Sequence, residues 1–87
     1  MATTDSEVTL GTEVRRLRES RGLTQAQMAV RSHLGMTFIW SVENDREVNC
    51  CDWQIGRLAK VLGVSVGDLL PLIPRNRRIL GRTDPAA

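Results

Sequence analysis

One histidine and two cysteines are the residues of this chain with the widest chemical repertoire. His33, Cys50 and Cys51 do not complete a structural zinc site, which needs about four such ligands. Adjacent cysteines form a disulfide only by straining their own peptide geometry, so Cys50 and Cys51 are expected to be reduced thiols. His33 has no obvious serine or aspartate partner for hydrolysis. The sequence therefore predicts no metal, no other cofactor and no enzymatic activity.

The length and composition of the chain are those of one small globular domain. It has 87 residues, a formal net charge of +2 and 41% hydrophobic residues, which are ordinary values for a soluble protein. Aromatic residues make up only 3%, which argues against a β-sandwich or barrel. No apolar run approaches the roughly 20 residues of a membrane span, and the polar residues 1–7 do not resemble a secretory signal. We expect a cytoplasmic protein without membrane contact.

Apolar residues recur at helical spacing through most of the chain. Leu10, Val14 and Leu17 fall on one face of a helix predicted at 9–21, and Gly22 is the stop signal that follows it. Four further helices are predicted at about 24–32, 36–44, 52–62 and 66–70.

Two capping boxes mark where helices begin. Thr24-x-x-Gln27 opens the second helix, and Ser65-x-x-Asp68 opens the fifth, which Pro71 is expected to end. No strand pair is predicted in the part of the chain before the tail, so the fold class is all-α. Residues 1–8 show no apolar period and are expected to form a flexible arm.

The second and third predicted helices are separated by a short break at residues 33–35, which contains a glycine. Two helices joined by a three- or four-residue turn with glycine form a helix-turn-helix, whose second helix lies in the major groove of DNA. The segment 24–44 is therefore the candidate helix-turn-helix, with residues 36–44 as its recognition helix.

About 60 residues of the chain resemble the phage-repressor-like, or XRE-type, family of transcriptional regulators. The landmarks of that family occur here in order and at the expected spacing: Val14-Arg15-x-Leu17-Arg18, Arg21-Gly22-Leu23-Thr24-Gln25, Met28-Ala29, Ile39, Val42-Glu43, and Leu58-Ala59-Lys60-Val61-Leu62-Gly63-Val64-Ser65 before Asp68-Leu69-Leu70. The resemblance implies a compact five-helix, lambda-repressor-like DNA-binding domain over residues 9–71, with a basic tail at 72–87.

The sequence departs from the family pattern at three positions. His33 occupies a turn position where glycine is usual. Gly35 replaces the usual serine or threonine cap of the recognition helix, a change that costs only a few tenths of a kcal/mol. Asp45 stands where glycine is common, and aspartate tolerates the left-handed conformation. We expect none of these changes to disrupt the fold.

The resemblance also implies roles for individual residues. Gln25 is expected to bind a DNA phosphate and to brace the recognition helix, and a helix N-terminus is itself an anion site. Met36, Thr37 and Ser41 match the base-reading positions. Arg18 and Glu43 are expected to form an ion pair between the first and third helices. The predicted DNA contacts are Gln25, Gly35, Met36, Thr37, Phe38, Ser41, Asn44 and Arg46.

The recognition helix carries two aromatic residues that the core does not need, because Leu34, Ile39 and Val42 already serve it. Phe38 and Trp40 would form an apolar patch if both were exposed. We expect either ring to pack against the tail, a second copy of the chain or a partner protein.

The tail is expected to be flexible or to form a dimer. Residues 75–87 carry four arginines against Asp84, a net charge of +3, which suits phosphate attraction. The apolar residues nearby are candidates for a dimer contact. The residues assigned to a dimer or tail surface are Leu69, Leu70, Leu72, Ile73, Arg75, Arg77 and Arg78.

The sequence favours a sequence-specific regulator of transcription that binds double-stranded DNA. A homodimer would read an inverted repeat, because a two-fold protein matches a palindromic site. The alternative is an antitoxin or adaptor whose main partner is a protein, bound through Phe38 and Trp40.

Overall fold

The computed structural model describes residues 8–46, 49–74 and 77–79. Five α-helices form in these residues, with a short 3₁₀ turn and two short strands after the third helix. In chain order the elements are α1 (Leu10–Ser20), α2 (Gln25–Ser32), α3 (Met36–Glu43), β1 (Cys50–Cys51), α4 (Asp52–Leu62), α5 (Val66–Leu69), a 3₁₀ turn (Leu70–Leu72) and β2 (Arg78–Ile79). The all-α class and the five predicted helices are confirmed. No helix in the described part of the chain is long and apolar enough to cross a membrane.

A side-chain cap explains where α1 begins, and a backbone cap at a glycine explains where it ends. The Oγ1 of Thr9 accepts a hydrogen bond from the backbone N–H of Thr12 at 3.1 Å, and the Oγ1 of Thr12 accepts one from the backbone N–H of Thr9 at 2.9 Å. At the other end Gly22 has a φ of +69°. The N–H of Leu23 then reaches back to the carbonyl of Arg18 at 3.1 Å. This pattern satisfies carbonyls that the helix leaves free at its end.

The helix-turn-helix is defined by α2, the three-residue turn and α3. The predicted capping box is present, since Thr24 and Gln27 exchange hydrogen bonds at 2.9 and 3.1 Å. His33 ends α2 in the left-handed conformation with a φ of +60°. Arg57 of α4 donates to the carbonyl of His33 at 3.1 Å. The turn that glycine usually makes is therefore made by His33 and held by a side chain from α4.

An apolar core lies between the helices of the described part of the chain. It is built from the inward faces that the helical spacing predicted, together with residues near the end of the described chain. Its most completely buried apolar members are Val14, Met28, Ile39, Val42, Cys50, Ile55, Leu58, Ala59, Leu62 and Leu69. Burial raises the pKa of the Cys50 thiol to about 11, so this cysteine stays protonated near neutral pH. Both cysteines are free thiols.

The end of the domain differs from the prediction in two respects. Pro71 does not end α5 abruptly but lies within the 3₁₀ turn that continues from it. Beyond this turn, β2 pairs in parallel with β1, with Cys50 opposite Arg78 and Cys51 opposite Ile79. Part of the tail is thus attached to the backbone that precedes α4. Residues 1–7 of the arm predicted at 1–8, Arg75 and the last eight residues lie outside the described part of the chain.

The surface assigned to a dimer also requires correction. Leu69 is fully buried and Ile73 is only 7% exposed, and both belong to the core of this chain. They are therefore not available to a second copy. Leu70 and Leu72 are half-buried and pack against the same core. An apolar sequence alone does not distinguish a residue of the domain's own core from one of a dimer contact, because both bury apolar surface.

Candidate nucleic-acid interface

The helix α3 presents two chemically different faces. We call Ile39, Val42 and Glu43 its inner face, because all three are buried against the rest of the domain. The remaining side chains, apart from Phe38, point away from the core. The name outer face is used below for the surface formed by Met36, Thr37, Trp40, Ser41 and Asn44.

The inner face ends in a buried carboxylate, that of Glu43. Arg18 binds it with two parallel hydrogen bonds, from Nε to Oε2 at 2.6 Å and from Nη2 to Oε1 at 3.0 Å. The side chain of Glu43 is fully buried and that of Arg18 is 11% exposed. The predicted ion pair is therefore present, in a bidentate geometry that fixes orientation as well as charge.

Two further residues complete the environment of Glu43. The side-chain amide of Gln25 donates to Oε1 at 3.1 Å, and Arg15 lies 3.5 Å from the same oxygen. Burial alone would raise the pKa of Glu43, but the hydrogen bonds from Arg18 and Gln25 outweigh it and hold the pKa below its usual value. Glu43 thus stays ionised and joins α1, α2 and α3.

Asp45 links the end of α3 to the beginning of α1. It adopts the left-handed conformation with a φ of +54°. Its two carboxylate oxygens accept hydrogen bonds from the backbone N–H of Gly11 at 3.1 Å and from the hydroxyl of Thr9 at 3.0 Å. A carboxylate at a helix N-terminus is favourable, because it meets free N–H groups and the positive end of the helix dipole. Sequence reasoning allowed Asp45 in this conformation but missed its role as a cap.

Gly11 is a second residue whose role was missed. A Cβ at this position would collide with the carbonyl oxygen of Val42 and would lie 2.9 Å from that of Glu43. Only glycine allows the first turn of α1 to approach the last turn of α3 this closely. The signal in the sequence was the glycine itself, near the start of a helix where it has no capping function.

The outer face is exposed and carries no charged side chain. Met36 is 47% and Trp40 43% exposed, Thr37 and Asn44 are exposed, and Ser41 is half-buried. Residues spaced by three and four positions in a helix are neighbours on its surface, so these five side chains form one continuous face. The predicted base-reading residues Met36, Thr37 and Ser41 are thus brought together on it.

The other predicted contact residues lie around this face. Gly35 is the exposed N-cap of α3, in extended conformation and without a side-chain cap. Gln25 lies at the start of α2, where it contacts Glu43. Arg46 is exposed just beyond α3, and its guanidinium lies 5.3 Å from the centre of the Trp40 ring. Asn44 turns its side-chain amide towards its own helix and donates to the carbonyl of Trp40 at 2.8 Å.

The two aromatic residues of α3 have different environments. Phe38 is half-buried and packs against the core, so only part of its side chain is available to DNA or to a partner. Trp40 remains exposed on the outer face. That either ring packs against the tail, a second copy of the chain or a partner protein stays a prediction.

Only some of the tail arginines belong to the described part of the chain. Arg77 is half-buried and lines a groove of about 510 Å³ together with Asp45, Arg46 and Cys50. The backbone of Arg78 forms the strand pair with β1. Arg75 is outside the described residues. The strand pair therefore brings at least Arg77 close to the segment that follows α3.

Comparison with known proteins agrees with this architecture. Residues 9–72 match the family described as the helix-turn-helix domain, whereas the comparison with curated proteins gives no match. One similar solved structure is SinR, the master regulator for biofilm formation, in complex with DNA, with 22% identity and a TM-score of 0.67 over 71% of this chain and 98% of that chain. Another is the complex of the SinR and SinI proteins, with 19% identity and a TM-score of 0.67 over 78% of this chain and 70% of that chain.

At these identities the two solved structures establish a shared fold. The family match covers well over half of the chain and includes both helices of the helix-turn-helix with the helices that support them. This chain belongs to the helix-turn-helix domain family, as its resemblance to phage-repressor-like, XRE-type regulators predicts.

Proposed function

We propose that this protein is a sequence-specific DNA-binding regulator of transcription, which inserts α3 into the major groove. The observation that carries the proposal is the contrast within α3, where a buried ion pair holds the inner face and the outer face is free. A recognition helix needs both properties, because base contacts require side chains that are exposed and held in one position. The similarity to SinR, which was solved in complex with DNA, supports the same function.

Phosphate contacts are expected on both sides of the outer face. Gln25 lies in the first turn of α2, where backbone N–H groups form an anion-binding end. Its side-chain nitrogen donates to Glu43, which leaves its second amide hydrogen for a phosphate. On the other side, Asn44 and Arg46 follow the recognition helix, and Arg46 adds a positive charge. These contacts would fix the register of α3 in the groove.

We further propose that the protein acts as a homodimer on an inverted repeat. One domain with few phosphate contacts binds weakly, whereas two linked domains bind a palindromic site together. Because Leu69 and Ile73 belong to the core, the dimer contact would involve the outer surface of the 3₁₀ turn, where Pro71 is exposed, and the tail. Sedimentation velocity of the full chain with and without DNA would measure the assembly.

The experiment that tests the function is selection of binding sites from a pool of random DNA duplexes, followed by fluorescence anisotropy with the selected duplex. Replacing Thr37 or Ser41 by Ala should remove about 1–3 kcal/mol of discrimination at one base pair per half-site. Affinity for unrelated DNA should remain nearly the same, because phosphate contacts dominate it. Ser20→Ala is a matched control, since this serine is exposed on α1 and donates only to the carbonyl of Leu17.

A double variant with Thr37→Ala and Ser41→Ala that folds, and that binds every duplex as the wild type does, would contradict the proposal. The exposure of Trp40 and Met36 favours one second candidate, a protein-interaction module that binds its partner through this apolar pair. For that function no DNA sequence would be enriched, and Trp40→Ala would abolish binding to a partner present at constant stoichiometry.

A further inference from the structure

The outer face lacks the side chains that read most bases in the major groove. Arginine and lysine read guanine, whereas asparagine and glutamine read adenine through paired donor and acceptor groups. Only Asn44 belongs to these types, and its amide nitrogen is directed to the carbonyl of Trp40 at 2.8 Å. The face therefore offers two hydroxyls, from Thr37 and Ser41, and two large apolar side chains.

These apolar side chains are adjacent and central. Met36 and Trp40 are one helical turn apart, and Thr37, Ser41 and Asn44 border them. The major groove presents one apolar group to a protein, the C5-methyl of thymine. An exposed methionine next to an exposed tryptophan matches the apolar character of that group. Contact of both side chains with the methyl would remove apolar surface from water.

A cation lies over the ring of Trp40. Arg46 lies over it at 5.3 Å from the ring centre, within the range in which a guanidinium is attracted to an indole face. This contact favours the observed orientation of the ring and places a positive charge at the edge of an uncharged surface. The carboxylate of Glu43 is fully buried, and that of Asp45, the neighbour of Arg46 in the chain, is directed to Thr9 and Gly11.

This distribution of charge favours DNA over an apolar protein surface as the occupant. A duplex presents an apolar methyl in its groove and phosphates at the edge of that groove, which matches an apolar centre with a cation beside it. We infer that Trp40, together with Met36, reads thymine through its C5-methyl group, and that Arg46 positions the ring. The inference rests on the proposed DNA binding and specifies its base preference, a thymine in each half-site opposite Trp40.

The test removes one methyl group at a time from the DNA. Each thymine of the selected duplex is replaced in turn by deoxyuridine, which differs only in lacking the C5-methyl, and affinity is measured by anisotropy. At the thymine that faces Trp40, the wild type should bind the deoxyuridine duplex about fourfold more weakly, the factor expected for one buried methyl. Trp40→Ala should bind the two duplexes equally well at that position.

Two variants guard against indirect effects. Trp53→Ala is the matched control, because Trp53 carries a similar cation contact, with Arg57 at 5.0 Å from its ring centre, but lies on α4. This variant should keep the fourfold ratio. Trp40→Leu retains an apolar side chain and should keep part of the ratio, and thermal unfolding followed by circular dichroism verifies that each variant is folded.

The outcomes separate the inference from the function on which it rests. If the wild type selects a sequence but no thymine replacement changes its affinity, or if Trp40→Ala keeps the fourfold ratio, the inference is wrong and the proposed function remains. If no sequence is selected at all, the proposed function itself is wrong. If Trp40→Ala leaves the ratio unchanged and converts a dimer to monomers in sedimentation, the face is instead a contact between two copies of the chain.

Discussion

The two faces of α3 are held in opposite ways. On the inner face, Glu43 contacts three side chains from α1 and α2, and its carboxylate has no access to water. On the outer face, Trp40 contacts Arg46 while a large part of its ring is exposed. Many interactions thus fix the position of α3, whereas few constrain the identity of the side chains on its outer face. A change of outer-face residues can therefore alter what is recognised without altering the fold.

The largest effect expected from this contrast is that of Glu43→Ala. Removing the carboxylate leaves the guanidinium of Arg18 buried without its partner, which should lower the free energy of unfolding by about 3–5 kcal/mol. That is a large part of the stability of a small domain. Chemical denaturation followed by circular dichroism measures it.

The matched control for this variant is Glu13→Ala, which removes a glutamate from a bidentate pair with Arg16 on the exposed side of α1. Arg16 is 64% exposed, so water replaces most of what the pair contributes. Glu13→Ala should unfold close to the wild type. Equal destabilisation by both variants would mean that the Glu43 pair contributes no more than an exposed one.

A smaller effect is expected where the backbone of α1 meets the end of α3. In Gly11→Ala, the new methyl would collide with the carbonyl of Val42, which should cost about 1–3 kcal/mol. Gly56→Ala on α4 provides the opposite case, because a Cβ there meets nothing within 4 Å. Since alanine favours a helix more than glycine does, Gly56→Ala should raise the free energy of unfolding by up to about 1 kcal/mol. Similar melting temperatures for the two variants would show that the close approach at Gly11 is unimportant.

The sequence predicted those features that depend on residues close together in the chain. The capping box of Thr24 with Gln27 and the stop at Gly22 each involve a few neighbouring residues, so their geometry follows from local spacing. The contacts of Asp45 with Thr9 and Gly11 span 36 and 34 residues, and no local pattern indicates them. The pairing of Cys50–Cys51 with Arg78–Ile79 was missed because a strand of two residues has no alternation to detect.

The candidate site could likewise be predicted from the sequence only in part. The resemblance to a family identified Arg18 and Glu43 as partners, and the structure contains the pair. The environment of Phe38 and Trp40 was not predictable, because a helical period assigns a direction to each side chain but not what lies there. Phe38 lies at the edge of the core and Trp40 at the centre of the exposed face. Whether each ring is covered depends on where the other helices lie, which the spacing within α3 does not indicate.

Low pH should weaken the interactions of Glu43 on the inner face of the wild-type protein. The pKa of Glu43 is lowered in the folded protein from an ordinary value of 4.5, so the folded state favours the ionised form more than the unfolded state does. This contribution is present above pH 4.5 and is lost as the pH falls through the lower folded pKa. The wild type should therefore lose stability in this range more steeply than Glu43→Gln, in denaturation curves measured between pH 6 and about pH 3. Parallel curves for the two proteins would contradict the assignment.

The smallest effect should distinguish the phosphate contacts on the two sides of the outer face. Gln25 is neutral, so Gln25→Ala should weaken binding to all DNA sequences alike while leaving its salt dependence unchanged. Arg46 is charged, and loss of one phosphate contact from it should reduce the slope of log affinity against log salt concentration by about 0.9. Titrations of the selected duplex and of an unrelated one at several salt concentrations measure both quantities. An unchanged slope in Arg46→Ala, with a reduced preference for thymine, would mean that Arg46 acts only by holding the ring of Trp40.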